Sequence, residues 1–398
     1  MFSGKNIQVI FREEITNVRF GGSMKIAIVL PHFYPYVGGG EKMFYDLAKG
    51  LHNNGHEVRV VARQVAPEYV GEKIVDGFQV NYCDWKEMFG HPFPAKKDIE
   101  PVIKWCDVVH TSIFTTSPVV SSLARKYKKP SLLTIYEARG NKWYWCDTFI
   151  KATIFYMVEQ FTCRQKFDCY HAISDATKKD IETFCKRKNV RRVYLANEMA
   201  KDIADKDFSM RSYFGVSEDT NVFLYYGRPG QTKGVSVYEK ALELLAEGNC
   251  ISDNTKFCFL LGKEPEDLRA AFVNLINKKG LDKYVIIKES VPRPALAACI
   301  MQADTVVVPS LTEGFGFSAL EACQMGSNLI YSDGGSLPEV AFGKCKAFRN
   351  RDHKDLAEKI KAVIENRADA FDNVPEKTFT YEEMLGGLTD LYEELIRK

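Results

Sequence analysis

From Met24 onward, short runs that are apolar along their whole length recur at intervals, with helical periods filling the gaps. A strand with one wet face alternates apolar and polar residues, whereas a strand covered on both faces is apolar throughout. Most of these runs are of the second kind. Candidate strands lie at 25–30, 57–62, 107–110, 131–135 and 169–173, and a second series lies at 222–226, 257–261, 284–287, 304–308 and 328–331. Between them, Met43, Phe44, Leu47, Ala48 and Leu51 share one helical face and stop at Asn54-Gly55; after Gly234, residues Val237, Tyr238, Ala241, Leu242 and Leu245 repeat that pattern. Strand–helix alternation of this kind builds a doubly wound parallel sheet.

The series occurs twice, so the expected fold class is α/β, with two Rossmann-like doubly wound parallel-sheet domains facing a central cleft. The expected domains are 24–198 and 219–378, joined by a polar linker at 199–218 and followed by an amphipathic C-terminal helix in 379–398, where Met384, Leu388, Leu391 and Leu395 share a face. Residues 1–23 carry no clear period and read as a flexible or non-native extension, with Met24 as the alternative initiator.

A chain of 398 residues suits two domains. No apolar run nears the ~20 residues of a membrane span, and Arg12, Glu13 and Glu14 stand where a signal peptide would be apolar. The 11 cysteines include no C-x-x-C pair, which argues for reduced thiols rather than a disulfide framework or a zinc ribbon. A cytoplasmic protein is expected. The net charge is only +2, yet it is unevenly spread: residues 24–198 sum to +7 and residues 199–398 to −6. A basic first half fits an anionic acceptor, a peripheral contact with the inner face of a membrane, or an ordinary solvated surface. No nucleic-acid motif accompanies it, and nucleic acid is not an expected partner.

Three glycine-containing turns carry candidate chemistry. The stretch 313–321 (EGFGFSALE) follows the run 304–308 and precedes a helix expected to begin near Phe317 or Ser318 and end at Gly326. Gly314 and Gly316 let backbone approach a ligand. The free N–H groups and positive dipole end of the helix suit a phosphate, and Glu313 and Glu321 then read as hydroxyl acceptors on either side of a diphosphate. Each also fits a plainer role, as a solvated loop acid and a first-turn glutamate. The stretch 227–234 (GRPGQTKG) follows the run 222–226 and sets Arg228 and Lys233 at a strand's C-terminal end. Two such cations can neutralise a diphosphate, and the stretch fits a solvated turn as well. The stretch 35–41 (PYVGGGE) follows the first strand, but Met43 stands where a dinucleotide fingerprint needs its third glycine. The single D-x-D, Asp205-Lys206-Asp207, lies in the linker with no strand before it and reads as solvated charge; no metal and no other cofactor is expected.

Together these turns resemble glycosyltransferase family 4, whose members are retaining enzymes with the two-domain B-type (GT-B) fold. The likeness runs from Met24 along nearly the whole chain. It includes Gly39-Gly40-Glu41, spaced slightly differently from the family's pattern, the stretch 47–58 (LAKGLHNNGHEV), the uninterrupted 227–234, the glutamates Glu313 and Glu321, and the turn 334–339 (GGSLPE). The resemblance implies that Arg228 and Lys233 clamp the diphosphate, with Lys233, Arg228 and Glu313 as the catalytic set. It implies that Glu321 accepts from ribose and Glu313 faces the donor sugar. The backbones of Gly314, Phe315, Gly316 and Phe317 would touch sugar and phosphate, and Gly39 and Gly40 would let the first domain close over the donor. The base would lie near Lys263 and 288–291, with UDP and GDP both open. The family's histidine near the sugar is replaced by Tyr136, and its N-G turn by Asn197-Glu198. Tyr136 and His110 are the candidates for the sugar and acceptor side.

The implied activity is transfer of a sugar from a nucleotide diphosphosugar to a glycan or lipid-linked acceptor in polysaccharide or glycoconjugate synthesis. The competing readings are a non-catalytic nucleotide-sugar-binding subunit and a GT-B-type epimerase. The aromatic, basic stretch 139–166 fits either a membrane or acceptor surface or a core helix entered by an aromatic loop, and the core helix is the expectation.

Overall fold

Every one of the ten apolar runs is a strand in the computed structural model, which describes residues 22–398 other than 37, 89, 90, 198, 200 and 264. The expected extension thus lies outside the described residues except for Gly22 and Ser23. In chain order the first half holds β1 (Lys25–Leu30), β2 (Glu57–Arg63), β3 (Gly71–Val75), β4 (Phe78–Cys83), β5 (Glu87–Met88), β6 (His91–Pro92), β7 (Val108–Ser112), β8 (Ser131–Ile135), β9 (Cys169–Ala172) and β10 (Val190–Arg192). The second half holds β11 (Asn221–Gly227), β12 (Thr255–Leu261), β13 (Val285–Glu289), β14 (Thr305–Val308), β15 (Leu329–Ser332), β16 (Gly343–Phe348) and β17 (Asp372–Val374).

One sheet runs β10-β9-β8-β7-β1-β2-β4-β3 and the other β13-β12-β11-β14-β15-β16-β17. Within these two sheets, among the described residues, only the edge strands β3 and β17 run antiparallel to their neighbours; β5 and β6 form a separate antiparallel pair. Strand order reverses between β1 and β7 in the first sheet and between β11 and β14 in the second. At such switch points the loops after the strands diverge and leave a crevice. The loops carrying residues 38–40, 227–234 and 309–316 leave these strands at that end. The sheets are thus two α/β domains of GT-B type.

The hairpin β3–β4 was not among the expected strands, although its Asp76-Gly77 turn, with φ of 44° and 92°, is the usual two-residue hairpin signal. β3 is largely exposed, so it lacks the continuous apolar run that marked the others. Residues 199–218 are not merely a tether. They contain the helix Met210–Phe214, whose Met210 and Phe214 are buried and whose Met210 N–H donates to Gln302 in the second domain (2.9 Å). Asp205, Lys206 and Asp207 are exposed there.

The last helix, Tyr381–Arg397, begins at a capping box formed by Thr380 and Glu383. It crosses back to the first domain. Tyr381 and Leu385 fill the space beside Gly50, and Gly387 lies against Val193.

The helix Phe149–Cys163 corrects the expectation of a core element. Phe149 is 75% and Ile150 73% exposed, while the face turned inward carries Ala152, Glu159, Gln160, Thr162 and Cys163. No helix among the described residues is long and apolar enough to cross a membrane.

Candidate active site

The chain leaves β14 through Pro309-Ser310-Leu311-Thr312-Glu313-Gly314-Phe315 and enters the helix Phe317–Met325 at Gly316. Gly316 has a φ of 92°, a conformation that side chains rarely tolerate. A Cβ there would stand 2.9 Å from Leu337 Cδ2. Gly316 is the N-cap and has no side chain to cap the helix with, so the positive dipole end is open to a ligand entering the cleft.

Lys233 Nζ donates to Glu313 Oε1 (2.6 Å), and Ser310 Oγ donates to the same oxygen (2.8 Å). The loop carrying Lys233 is pressed onto the β14 loop: a Cβ on Gly234 would overlap the Pro309 carbonyl, and Leu311 N–H donates to Thr232 O (2.8 Å). Arg228 is exposed on that loop and acts electrostatically on Glu41 of the first domain. Burial holds the Glu41 carboxyl above the usual carboxylate range, its own backbone N–H and Arg228 opposing this. Glu41 belongs to the first turn of the helix Gly39–Asn53, whose N-cap is Gly38, a residue with no side chain to cap with.

Glu321 is 7% exposed. Burial raises its pKa, and the Arg293 guanidinium, 3.3 Å away, pulls the other way, helped by Tyr226. Arg293 also donates to Asn197 Oδ1 (3.0 Å), tying the carboxylate to the segment that joins the domains. Sequence reading missed Arg293, since nothing local links it to a carboxylate 28 residues away. Lys263 and Glu289, at the ends of β12 and β13, form an exposed ion pair (3.2 Å) beside the stretch expected to meet the base.

The two domains touch at these same residues. Gly314 O accepts from Ser174 Oγ (2.6 Å) and Thr177 Oγ1 (3.1 Å), and a Cβ on Gly314 would overlap the Tyr136 carbonyl oxygen. A Cβ on Gly40 would stand 2.7 Å from the Tyr136 ring, and one on Gly39 3.5 Å from the Phe317 ring. Gly39, Gly40, Tyr136, Gly314 and Phe317 are therefore brought together. Burial, reinforced by Glu41 and opposed by Ser112, pushes the Tyr136 phenol well up, so it stays neutral. Phe315 is the exception in its loop. Its ring is buried among Phe317, Tyr194 and Phe379, so only its backbone is left for a ligand.

Two further acids were missed as site residues. Glu137 follows β8 and reaches across the cleft, accepting from Thr312 Oγ1 (2.5 Å) and from Arg139 (2.7 and 2.9 Å). Burial raises its pKa, but Arg139, Thr312 and Lys233 outweigh that and hold it below the usual range. Glu339, from the 334–339 turn, accepts from the backbone N–H groups of Asp175 (2.8 Å) and Ala176 (2.7 Å), capping a first-domain helix from the second domain.

The chain has counterparts among known proteins. Residues 37–196 match the family model described as Glycosyltransferase Family 4, and residues 208–377 match Glycosyl transferases group 1. Between them the two models take in most of the chain. The chain belongs to glycosyltransferase family 4. An uncharacterized glycosyltransferase of Methanocaldococcus jannaschii is 26% identical over 80% of this chain and 82% of its own length. A D-inositol 3-phosphate glycosyltransferase of Arthrobacter sp. is 32% identical, but over only 40% of this chain and 38% of its own length. The phosphatidylinositol N-acetylglucosaminyltransferase GPI3 subunit of Saccharomyces cerevisiae is 22% identical over 79% of this chain and 69% of its own. Among solved structures, sucrose-phosphate synthase from Thermosynechococcus elongatus superposes with a TM-score of 0.74 over 94% of this chain and 99% of that one, at 17% identity. Anabaena HepE in complex with UDP and glucose does so at 0.64 over 94% and 98%, at 15% identity.

In this glycosyltransferase His110 does not face the cleft. It is fully buried under the C-terminal helix, with Nδ1 2.6 Å from Tyr392 Oη and Nε2 2.6 Å from Thr134 Oγ1. Thr134 in turn meets His171 Nδ1 (2.8 Å), and His171 Nε2 meets Val193 O (2.9 Å). The placement of His110 toward the sugar is therefore corrected: it belongs to a polar chain that ties the sheet to the returning helix.

Proposed function

We propose that this family 4 glycosyltransferase is a retaining hexosyltransferase that moves a sugar from a UDP- or GDP-linked donor to a glycan or lipid-linked acceptor at the inner face of a membrane. The observation that carries this reading is the Lys233–Glu313 pair at the mouth of an uncapped helix, between two domains in contact. In this reading the donor diphosphate lies over the helix start at Gly316, an N-cap without a side chain. Lys233 turns from Glu313 to the phosphate, and Arg228 joins it. Glu321, oriented by Arg293 and Tyr226, accepts from the ribose, and the freed Glu313 accepts from the sugar.

As the anomeric C–O bond breaks, positive charge grows on the sugar ring and negative charge on the departing diphosphate. The two cations and the helix dipole stabilise that charge where it develops. The leaving phosphate oxygen takes the proton of the acceptor hydroxyl, whose oxygen bonds to the anomeric carbon on the face just vacated. Donor stereochemistry is thereby kept, and no metal is required. Relatives named for D-inositol 3-phosphate and for phosphatidylinositol support a polar or lipid-borne acceptor.

The test is a thermal-shift screen of UDP, GDP and their sugars, followed by turnover of whichever sugar stabilises the protein. Stabilisation together with donor turnover that both Arg228→Ala and Lys233→Ala sharply lower supports the reading. Stabilisation without turnover identifies a binding subunit instead.

A further inference from the structure

The helix Phe149–Cys163 is inside out by the standard of a soluble protein. Surface helices turn their large apolar side chains toward the core. Here Phe149, Ile150, Ile154, Met157, Val158 and Phe161 are 46–75% exposed, and the buried face is polar or small. At 100° per residue, positions 150, 154, 157, 158 and 161 fall within about one third of the helix circumference and form one continuous strip. Tyr144 and Trp145, just before the helix, add exposed rings. An apolar strip of this extent marks a contact surface.

Charge identifies what covers it. Between Thr148 and Phe167 the only carboxylate is Glu159, and it is buried. The exposed charges in this stretch are cationic: Lys151 on the helix, and Arg164 and Lys166 just after it. Two more cations stand beside it, while Asp147 and Asp168 flank the stretch and Asp168 is held by Ser131. Arg187 donates to the Arg164 carbonyl, and Ser121, whose own carbonyl receives Arg125, donates to the Lys166 carbonyl. A twofold contact with a second copy would set this cationic rim against itself. An anionic lipid surface satisfies both features, taking the apolar strip among acyl chains and the cations among headgroups.

We propose that the helix Phe149–Cys163, with its aromatic approach, seats this protein on an anionic phospholipid bilayer. The seat is wired to the cleft. Glu159, on the inner face, accepts from the backbone N–H groups of Arg139 and Gly140 (both 2.7 Å), and Arg139 holds Glu137, which bridges to Thr312 of the other domain. Trp145 lies beneath the Arg351 guanidinium of that domain (4.7 Å). The first-domain wall of the cleft is thus built on the lipid-seated element. This deepens the functional reading, resting on it for the claim that the acceptor is lipid-borne, and stands apart from it for binding itself.

The experiment is co-sedimentation of the full chain with phosphatidylcholine vesicles and with mixed phosphatidylcholine–phosphatidylglycerol vesicles, at low and high salt. The expected result is binding to the mixed vesicles that weakens with salt. Ile150→Ser with Phe161→Ser, and separately Lys151→Glu with Arg164→Glu, should each lower it by on the order of tenfold. Because these side chains are exposed, the variants should keep the parent's thermal midpoint. Equal sedimentation of parent and variants, or none by the folded parent, overturns the proposal. So does light scattering that shows an oligomer dissolved by Ile150→Ser with Phe161→Ser. Donor turnover in the same samples reads the cleft separately: vesicle binding without turnover leaves the seat standing and defeats the transferase reading.

Discussion

Gly314→Ala isolates the contact between the domains from the chemistry within one of them. Gly314 does not use a positive φ, so alanine is acceptable to its own loop. The added methyl would nevertheless overlap the Tyr136 carbonyl oxygen and lie 3.0 Å from its carbon, and backbone on both sides leaves no flexible group to yield. The domains must part, which breaks the hydrogen bonds from Ser174 (2.6 Å) and Thr177 (3.1 Å) to the Gly314 carbonyl. At ~0.5–1.5 kcal/mol net for each bond, the closed arrangement loses about 1–3 kcal/mol, a shift of roughly 5- to 150-fold in the closed–open balance. The expected outcome is a kcat/KM for transfer lowered by about that factor. The thermal midpoint should stay within about 4 °C of the parent's, and nucleotide affinity, measured by calorimetry, should change little. Parental kcat/KM in folded Gly314→Ala protein would show that this contact has no part in turnover.

Lys233→Ala should lower kcat by about 10²–10³, as does loss of a preorganised donor to a developing anion, and Arg228→Ala should act in the same direction; single-turnover donor cleavage reads both. Arg293→Ala leaves Glu321 buried without its cation. Because Arg293 is itself nearly half exposed, the stability lost in urea titration should be only about 1 kcal/mol, while nucleotide affinity falls more steeply. Burial depresses the pKa of His110 well below the ordinary value and that of His171 to about 4. The unfolded chain then binds more protons than the native one between about pH 6.5 and 4, so stability should fall as pH falls through that window. The slope should reach about 1.4 kcal/mol per pH unit for each histidine, and denaturant titrations at pH 7 and pH 5 would show it. Chelator treatment should leave donor turnover unchanged.

The fold was legible wherever a strand is covered on both faces, because such a strand must be apolar at every position whatever lies around it. That is why β1, β8, β11 and β14 could be read directly and the half-exposed β3 and β16 could not. The turn glycines were legible for a related reason. The close approaches at Gly234, Gly314 and Gly316 exclude a side chain, and that exclusion is written at a single position. The helix Phe149–Cys163 was misread because apolar content alone does not say which way a side chain faces.

The amino-acid sequence by itself determined two doubly wound sheets and the places where backbone must come close to backbone or ligand. Both follow from the requirements of single residues and their near neighbours. Only the tertiary structure decided the partners of the polar groups. Arg293 finds Glu321, Glu137 bridges to Thr312, and His110 turns to Tyr392, 282 residues away. A buried charge or imidazole can be satisfied by any suitable group the fold delivers, and which group arrives is set by how two sheets and a returning helix pack.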